Sequence, residues 1–249
     1  MKIVVCVSHV PDTATRIKIG SDGKSIDSAG VTYIINPYDE FAVEEALKTK
    51  EKLGNGEVVA VSLGSDSSKE TIRKALAMGV DSGVLLKDDT HRDTLGVAKA
   101  LAEEIKAQDA QIVFMGKQSV DYDNSIVGQL TAELLGYSCV TVVVKLDIDG
   151  EKVIAEREVE GGREVVETSL PVIITCQKGL NEPRYASLKG IMAAKKKNIE
   201  EKTASEFTPV SEVIRMHLPE GKKPGRIIGS DASVVPELVR LLKEEAKVI

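Results

Sequence analysis

Short apolar runs alternate with helix-like stretches through the first half of the chain, and this alternation restricts the possible folds more than any other feature. The runs are KIVVCV (2–7), EVVAVSLG (57–64), GVLLKD (83–88) and AQIVFMG (110–116). Their length and continuous hydrophobicity are typical of buried parallel strands. Helical patterns are predicted over 37–53, 68–79, 93–107 and about 124–136. Such alternation requires right-handed crossovers, so we predict an α/β fold with a doubly wound, mostly parallel sheet.

The first predicted helix opens with the sequence Asn-Pro-Tyr-Asp. Asn36 belongs to the residue types whose side chains cap helix N-termini, and Pro37 suits the first helical position. We therefore expect this helix to begin at Pro37.

The pattern changes after Cys139. Asp-Gly and Gly-Gly turns separate strand-like segments over 139–176, which predicts an antiparallel meander at the sheet edge, and Leu170-Pro171 opens a last apolar strand, 172–176. Residues 198–232 have little periodicity and are interpreted as an arm lying over another surface. A helix with a broad apolar face is predicted over 233–246. The predicted division is an α/β domain, 1–197, and a C-terminal arm and helix, 198–249.

Composition narrows the class of protein. Only 3% of the 249 residues are aromatic, so the core must be aliphatic, and the net charge of −6 argues against general nucleic-acid binding. No stretch approaches the ~18 apolar residues of a membrane span, and the N-terminal apolar run is too short for a signal peptide. Cys6, Cys139 and Cys176 are expected to be free, buried thiols without a metal. A cytoplasmic protein is expected.

Ligands of open α/β sheets bind beyond the carboxyl ends of strands, where strand order reverses. Four segments are expected to meet at such an edge: 6–12, 36–39, 62–65 and 116–129. Neither G-x-G-x-x-G after the first strand nor G-x-x-x-x-G-K-[ST] occurs. The residues alone therefore leave open a nucleotide site and a simple capped helix with a polar loop.

The segment 116–129 is the most informative of the four. Backbone N–H groups at the start of its helix, with the hydroxyls of Ser119 and Ser125, could hold a phosphate. Asp121 and Asp123 are expected to cap the helix or to accept hydrogen bonds from ribose hydroxyls.

The chain has no catalytic constellation in its sequence. His9 follows the first strand without a nearby nucleophile, His91 is expected to be solvated, and His217 lies in the arm. The three histidines lack metal-ligand spacing. The run 195–197 of three lysines is interpreted as a solvated helix end stabilised by the helix dipole.

Five ordered motifs resemble the β subunit of electron-transfer flavoprotein. They are NPYDEFAVEEAL (36–47), ETIRKALAMG (70–79), GKQSVDYDN (116–124), AEREVEGGREVVETSLPVIIT (155–175) and LNEPRYASLKGIMAAKKK (180–197). The similarity covers residues 2 to about 197, and more loosely the rest.

The resemblance implies a heterodimer whose α subunit carries most contacts to a redox-active FAD. The β subunit would cradle the flavin domain, hold AMP, and do no bond chemistry, so it would not be an enzyme. Electrons would come from dehydrogenases and pass to a quinone oxidoreductase or another acceptor. By matching motif, the AMP site would use Cys6, Asn36, Pro37, Tyr38, Asp39, Leu63, Gly116, Lys117, Gln118, Ser119, Val120, Asp121, Tyr122, Asp123, Asn124, Ser125, Ile126 and Val127.

The resemblance also assigns residues 180–197 to a loop that docks partner dehydrogenases. Leu188 matches its apolar anchor, flanked by Tyr185 and Met192, and Glu158 matches an acid that can pair with an arginine of the flavin domain. The alternatives are that Leu188 packs its helix onto the sheet and that Glu158 is a solvated strand carboxylate.

Two rival functions remain open. Flavin-bifurcating relatives bind a second FAD in place of AMP and use NADH, and they share the start VPDT (10–13). They typically have a different loop at 122–126 and lack the form N-E-P-R-Y at 181–185. The second rival is a stand-alone adenine-nucleotide-binding sensor or hydrolase, since fold alone does not determine function.

Overall fold

The computed structural model describes residues 1–222 and 224–249. The strands are β1 Lys2–Cys6, β2 His9–Pro11, β3 Tyr33–Ile35, β4 Glu57–Gly64, β5 Ser82–Lys87, β6 Ile112–Gly116, β7 Ser138–Asp149, β8 Lys152–Val159, β9 Gly162–Ser169, β10 Val172–Cys176 and β11 Ile199–Thr203. The helices are α1 Pro37–Leu53, α2 Lys69–Met78, α3 Thr94–Ala107, α4 Val127–Leu135, α5 Leu188–Ala194 and α6 Val235–Glu244.

Nine strands form one sheet in the order β11-β5-β4-β1-β6-β10-β7-β8-β9. Every pair from β11 to β7 is parallel, whereas β7, β8 and β9 form an antiparallel meander at one edge. The chain reverses its direction of strand addition at β1, which lies between β4 and β6. The predicted fold class and meander are confirmed.

Alternate residues of the central strands face opposite layers of helices. Ile3 and Val5 of β1 belong to a core cluster with α1, α2 and the meander. Val4 of the same strand packs in a second cluster with α3 and α4. The continuous apolar runs are explained by this arrangement, because both faces of a parallel strand are covered.

Local signals set the ends of the helices. Pro37 occupies the first position of α1, as predicted, and Gly54 ends that helix with a φ of 70°, a conformation that glycine adopts without strain. The Asp93 carboxylate accepts from the Gly96 N–H and so caps α3. Asn36 occupies the position before α1, but the prediction that its side chain caps the helix is wrong. The Asn36 side chain instead makes the contacts described below.

Residues 199–203 correct the interpretation of the C-terminal segment. They form β11, which pairs in parallel with β5 from Ile199 opposite Gly83 to Thr203 opposite Lys87. The irregular segment therefore begins after Thr203, and the boundary predicted at 197/198 falls before a strand of the sheet. The division into two domains itself stays a prediction.

None of the described residues after Thr203 is buried. Large apolar side chains are exposed along this segment, among them Ile214, Leu218 and Ile227, and α6 keeps Val235, Leu238 and Val239 at least two-fifths exposed. Within the described ranges, no helix has both the length and the hydrophobicity needed to cross a membrane.

Candidate functional site

A cavity of about 420 Å³ lies at the carboxyl ends of β1, β4 and β6. The sequence analysis predicts a ligand at this edge of the sheet, and strand order reverses here, at β1. The residues of the predicted site that line it are Cys6, Asp39, Leu63, Gly116, Lys117, Gln118, Ser119, Asp121, Tyr122, Asn124, Ser125, Ile126 and Val127. The other predicted residues, Asn36, Pro37, Tyr38, Val120 and Asp123, lie outside the lining.

Asn36 and Asp39 join three segments behind the cavity wall. The Asn36 amide donates to Oδ1 of Asp39 (2.8 Å) and to the carbonyl of Gln118 (2.9 Å), and its Oδ1 accepts from the Val120 N–H (3.2 Å). Asp39 also accepts from the N–H groups of Ser8 (2.7 Å) and Gly116 (3.0 Å). These contacts tie the ends of β1 and β6 to the start of α1, so the two residues hold the wall in place.

Gly116 permits the close approach of β6 to α1. A Cβ at this position would lie 2.3 Å from Oδ1 of Asp39 and 2.7 Å from Cβ of Tyr38. Any side chain would therefore displace the buried carboxylate. Burial raises the pKa of Asp39 to about 7, although the hydrogen bonds from Asn36, Ser8 and Gly116 oppose this rise.

The loop between β6 and α4 forms a second wall through its own side chains. Ser125 donates its hydroxyl hydrogen to Oε1 of Gln118 (2.8 Å), and the Gln118 amide donates to Asp123 (2.5 Å). No described side chain caps α4, so the expectation that Asp121 or Asp123 caps this helix is wrong. The first N–H groups of α4 consequently have no capping partner from the described residues.

The cavity also takes residues from the loop after β5, which the sequence analysis did not assign to the site. Asp88, Thr90, His91, Arg92, Asp93 and Thr94 line it. The His91 ring lies 5.7 Å from the Tyr122 ring, and its Nδ1 is 3.3 Å from the Tyr122 hydroxyl. His91 is exposed, as expected for a solvated residue, but it also lines the cavity, which the sequence analysis did not predict. Its position directly after a strand of the same sheet edge was the signal available.

The start of the C-terminal segment crosses the mouth of this cavity, and we call residues 204–216 the strap. Nη2 of Arg92 donates to the carbonyl of Ser205 (2.5 Å), and the Arg92 guanidinium lies 4.2 Å from the centre of the Phe207 ring. Oδ2 of Asp93 accepts from the N–H groups of Val210 (2.6 Å) and Ser211 (3.0 Å).

Residues 211–213 of the strap complete the lining of the cavity. Further along, the Met216 N–H donates to the carbonyl of Gly23 (2.8 Å). The strap is thus attached near both of its ends, to the loop after β5 and to Gly23.

His9 and Cys6 line the cavity, but the surroundings of these two side chains are not those of a catalytic base or nucleophile. The His9 ring stacks on Tyr33 with centroids 4.8 Å apart, its Nδ1 lies 2.8 Å from Oγ1 of Thr71, and burial lowers its pKa. Burial, followed by the nearby Asp39 carboxylate, raises the pKa of the Cys6 thiol, which keeps it protonated.

The three cysteines are free, as predicted; Cys6 and Cys176 are buried, whereas Cys139 is only partly buried. Within residues 1–222 and 224–249, no cluster of His, Cys, Asp or Glu side chains is arranged to hold a metal ion.

A separate surface is formed by α5 and the residues before it. Tyr185 is 99% exposed, Leu188 84% and Met192 62%. The alternative that Leu188 packs α5 onto the sheet is wrong, because so exposed a side chain buries little area. Glu158 is exposed and accepts from the Gln177 amide (3.0 Å), which places it beside the start of the segment leading to this surface.

The underside of α5 is held against α2. Arg73 donates through Nη1 to the carbonyls of Ala194 and Lys197 (both 2.6 Å), and Nζ of Lys197 donates to the carbonyls of Leu76 (3.2 Å) and Val80. Lys197 therefore binds the C-terminal carbonyls of α2, and the interpretation of 195–197 as a solvated helix end is wrong for this residue. Lys195 and Lys196 are exposed, as expected.

Comparison with known proteins gives a consistent set of relatives. A family model described as "Electron transfer flavoprotein domain" matches residues 24–207. The chain is 42% identical to the electron transfer flavoprotein subunit beta of Bradyrhizobium diazoefficiens, and the alignment covers both proteins fully. It is 40% identical to that of Bacillus subtilis, again over both proteins in full, and 38% identical to that of Mus musculus over all of this chain and 99% of the mouse protein.

Proposed function

Because the chain belongs to the family of electron transfer flavoprotein β subunits, we propose that it holds AMP in the cavity beside β1 and pairs with a flavin-carrying α subunit. In this assembly the β subunit cradles the FAD domain and docks dehydrogenases. Electrons then leave for a quinone oxidoreductase or another acceptor. The chain carries out no bond chemistry of its own, and a cytoplasmic location stays a prediction.

The observation that carries the AMP assignment is the cavity itself. Its volume of about 420 Å³ falls within the ~300–1,000 Å³ of small-molecule sites. One part of the wall is apolar, with Leu63, Val97 and Leu101, as a purine ring requires. The lining also carries hydroxyl and amide groups, including Ser119 and Asn124, which suit a ribose and a phosphate.

The start of α4 supports the position of the phosphate. The free N–H groups of the first helical turn and the helix dipole both favour an anion there. Ser119 and Lys117, from the loop that leads into α4, also line the cavity and can add a hydroxyl donor and a positive charge. Asp121 also lines the cavity, where it can accept from a ribose hydroxyl.

The strap favours AMP over a second FAD. FAD adds a second phosphate, a ribityl chain and a three-ring flavin to the AMP portion. The contacts of Arg92 and Asp93 hold residues 205–211 across the opening, and residues 211–213 form part of the wall. This closure suits a mononucleotide.

Pairing with an α subunit is supported by the exposed apolar side chains after the strap. Ile227 is 90% exposed and Leu218 60%, and α6 turns Val235 and Val239 to solvent. An apolar surface of this extent is rare on a protein that acts alone. A stand-alone sensor has no use for it, so the heterodimer is favoured.

Docking of dehydrogenases is assigned to Tyr185, Leu188 and Met192, with Glu158 facing the flavin domain. A single exposed leucine flanked by larger side chains is suited to a small, transient interface in which one anchor fills a pocket. The exposure of Leu188 leaves its side chain available for that contact.

The test of the AMP site is nucleotide release from the purified heterodimer. The wild-type protein is expected to release one AMP per heterodimer on denaturation, and Ser119→Trp, which fills the cavity, is expected to release none. Ser67→Trp is the matched control, because Ser67 is exposed and lies outside the lining. Normal AMP yield from Ser119→Trp contradicts the placement.

The flavin content decides between the AMP form and the bifurcating form. One flavin per heterodimer supports AMP, whereas two support a second FAD in the cavity. A chain that is well behaved without an α subunit and binds ATP in isolation would instead support the sensor.

A further inference from the structure

The segment between β10 and α5 reaches the docking surface through an irregular path over α1. Residues 177–187 contain no strand or helix, and Tyr185 near their end is almost fully exposed. The Asn181 amide donates to the carbonyl of Phe41 (3.0 Å) and to Oε2 of Glu45 (2.8 Å). The segment is therefore attached to α1 just before its exposed side chains begin.

Arg184 makes the second and larger attachment. Its Nε and Nη2 donate to the two carboxylate oxygens of Glu44 (2.8 and 3.0 Å), and its Nη1 and Nη2 donate to those of Glu51 (2.6 and 3.1 Å). The Arg184 backbone N–H also donates to Glu44 (3.1 Å). Glu44 and Glu51 lie seven residues apart, so both carboxylates project from one face of α1. One guanidinium thus spans two helical turns.

This geometry requires arginine. The guanidinium is a rigid planar fork whose donors match two carboxylates at once, whereas an ammonium group is a point donor on a flexible stem. The hydrogen bonds to Glu44 and then to Glu51 raise the pKa of Arg184 above its ordinary value, and the bond from Arg184 lowers the pKa of Glu51. The Arg184 and Glu51 side chains consequently stay charged throughout the neutral range.

We call Arg184, Glu44 and Glu51 the clamp, and its two carboxylates differ in burial. The Glu44 side chain is only 7% exposed, so its carboxylate needs a partner for the fold to be stable. The Glu51 side chain is 59% exposed, and exposed pairs of this kind add little to folding stability. Glu51 nevertheless binds the remaining edge of the guanidinium, through Nη1 and Nη2. With both carboxylates in place, the guanidinium is held along two edges.

The helix that follows does not depend on this clamp. Ser187 caps α5 by accepting from the Gly190 N–H (3.0 Å), and Gly190 lies so close to α2 that a Cβ there would be 2.4 Å from the carbonyl oxygen of Ala77. Leu188 and Met192 are therefore positioned by α5 and α2, whereas Tyr185 lies next to Arg184 in the irregular segment. The orientation of Tyr185 relative to Leu188 is set at Arg184.

We propose that Arg184 is a positioning residue for partner docking, which holds the segment 181–187 on α1 so that Tyr185 and Leu188 meet a dehydrogenase in one fixed arrangement. The proposal rests on the docking role assigned above to Tyr185 and Leu188. Holding the segment on α1 strengthens binding through preorganisation, because a segment that is already ordered loses less conformational entropy when the complex forms.

The experiment uses the purified heterodimer and a dehydrogenase from the same cell that reduces the wild-type protein. The KM of the dehydrogenase for the flavoprotein is expected to rise about 3-fold in Glu51→Gln and about 10-fold in Arg184→Lys at unchanged kcat, as expected for a lost preorganised contact. Hydrogen exchange of residues 181–187 is expected to speed up in both variants. Thermal midpoint and AMP content should not change in Glu51→Gln.

Glu167→Gln is the matched control for Glu51→Gln. It breaks the ion pair between Lys152 of β8 and Glu167 of β9, whose side chain is 64% exposed, away from α1 and the docking segment. It removes the same charge and should leave the KM unchanged.

The outcomes separate this proposal from the docking role on which it rests. If Leu188→Ala raises the KM and Arg184→Lys does not, the positioning role is wrong and docking stands. If neither variant changes the KM, both assignments are wrong. A fall in kcat at constant KM also overturns the positioning role. Should Arg184→Lys fail to fold because Glu44 loses its partner, Glu51→Gln decides, since an unchanged KM there contradicts the proposal.

Discussion

Residues 1–203 and residues 204–249 place their apolar side chains in opposite environments. The first region buries its apolar side chains on both faces of a nine-stranded sheet, and its own residues Asn36, Asp39 and Gly116 hold one wall of the cavity in place. None of the described residues in the second region is buried, and Ile227 and Leu218 stand exposed. The first region therefore has its own core, whereas the second leaves its apolar side chains uncovered.

The comparison shows that exposure has a different meaning in the two regions. In the first, most large apolar side chains are buried, so one as exposed as Leu188 is a candidate for a specific contact. In the second region exposure is the rule. The same property thus indicates a small anchor in one region and an extensive subunit interface in the other.

The strongest test of this comparison is to remove the second region from residue 214 onward, which leaves in place the strap residues that line the cavity. Deletion of residues 214–249 is expected to weaken pairing with the α subunit by more than about 100-fold, because burial of only two such side chains at about 1.5–3 kcal/mol each accounts for that factor. Co-purification with a tagged α subunit and size-exclusion chromatography measure the loss.

The same deletion should leave the thermal midpoint of the isolated β subunit nearly unchanged, since it removes no buried side chain from the described structure. A truncated chain that still pairs at full stoichiometry would show that residues 214–249 are not the interface.

The cavity wall can be tested through pH. Burial raises the folded-state pKa of Asp39 to about 7, so the protonated form stabilises the fold. That contribution is complete below the unfolded pKa of about 3.9 and is lost as the pH rises through 7. The unfolding free energy of the wild type, relative to that of Asp39→Asn, is expected to fall by up to about 4 kcal/mol between pH 4 and pH 8.

Denaturant unfolding at a series of pH values measures this difference, and the subtraction removes titrations that both proteins share. A constant difference across the range would mean that the N–H donors of Ser8, Gly116 and Asn36 keep the carboxylate ionised throughout.

Gly116→Ala also disturbs the cavity wall, and we expect it to change the unfolding free energy less than the titration of Asp39 does. The added methyl group must displace Asp39 or Tyr38, and overpacking of this sort costs about 1–3 kcal/mol. We expect lower stability in denaturant and reduced AMP content. Gly162→Ala is the matched control, because no described atom lies within 4 Å of a Cβ at that position. Equal stability of the two variants would contradict the close approach.

Leu188 and Leu76 test whether an exposed leucine serves binding and a buried leucine serves folding, because the same residue type occupies the two environments. Leu188→Ala is expected to raise the KM of a dehydrogenase for the flavoprotein about 10-fold and to leave the thermal midpoint unchanged, since an exposed side chain adds little to folding. Leu76 is 1% exposed, and Leu76→Ala should cost about 2–5 kcal/mol of folding stability at unchanged KM. A lowered midpoint with an unchanged KM in Leu188→Ala would contradict docking.

The sequence predicts the sheet and its helices well where a pattern is continuous. The bounds of β4 and of α1 agree with the predicted 57–64 and 37–53, because an unbroken apolar run and a Pro-to-Gly helix mark both ends. β11 was missed because its sequence, IEEKT, has one apolar residue. Charged residues are common on edge strands, where they discourage pairing between molecules, so hydrophobicity does not reveal such strands.

The candidate site could be predicted only where its residues follow a strand directly. The segments after β1 and β6 were found in this way. Asn36 is a good capping residue by local preference, but a contact with Gln118, far along the chain, determines its side-chain position. The strap depends likewise on Arg92 and Asp93 meeting residues more than a hundred positions later. Contacts at such separation leave no periodic signal in one sequence.

The pairing of β11 with β5 has a consequence for synthesis. Ile199 lies opposite Gly83, so the outer edge of β5 has no partner until more than a hundred further residues have left the ribosome. At about 5–20 residues per second this takes roughly 5–25 s, during which an unpaired parallel edge is available to other nascent chains. The short polar strand β11 ends this interval, and a ribosome that stalls before residue 203 releases a chain whose sheet is still open at β5.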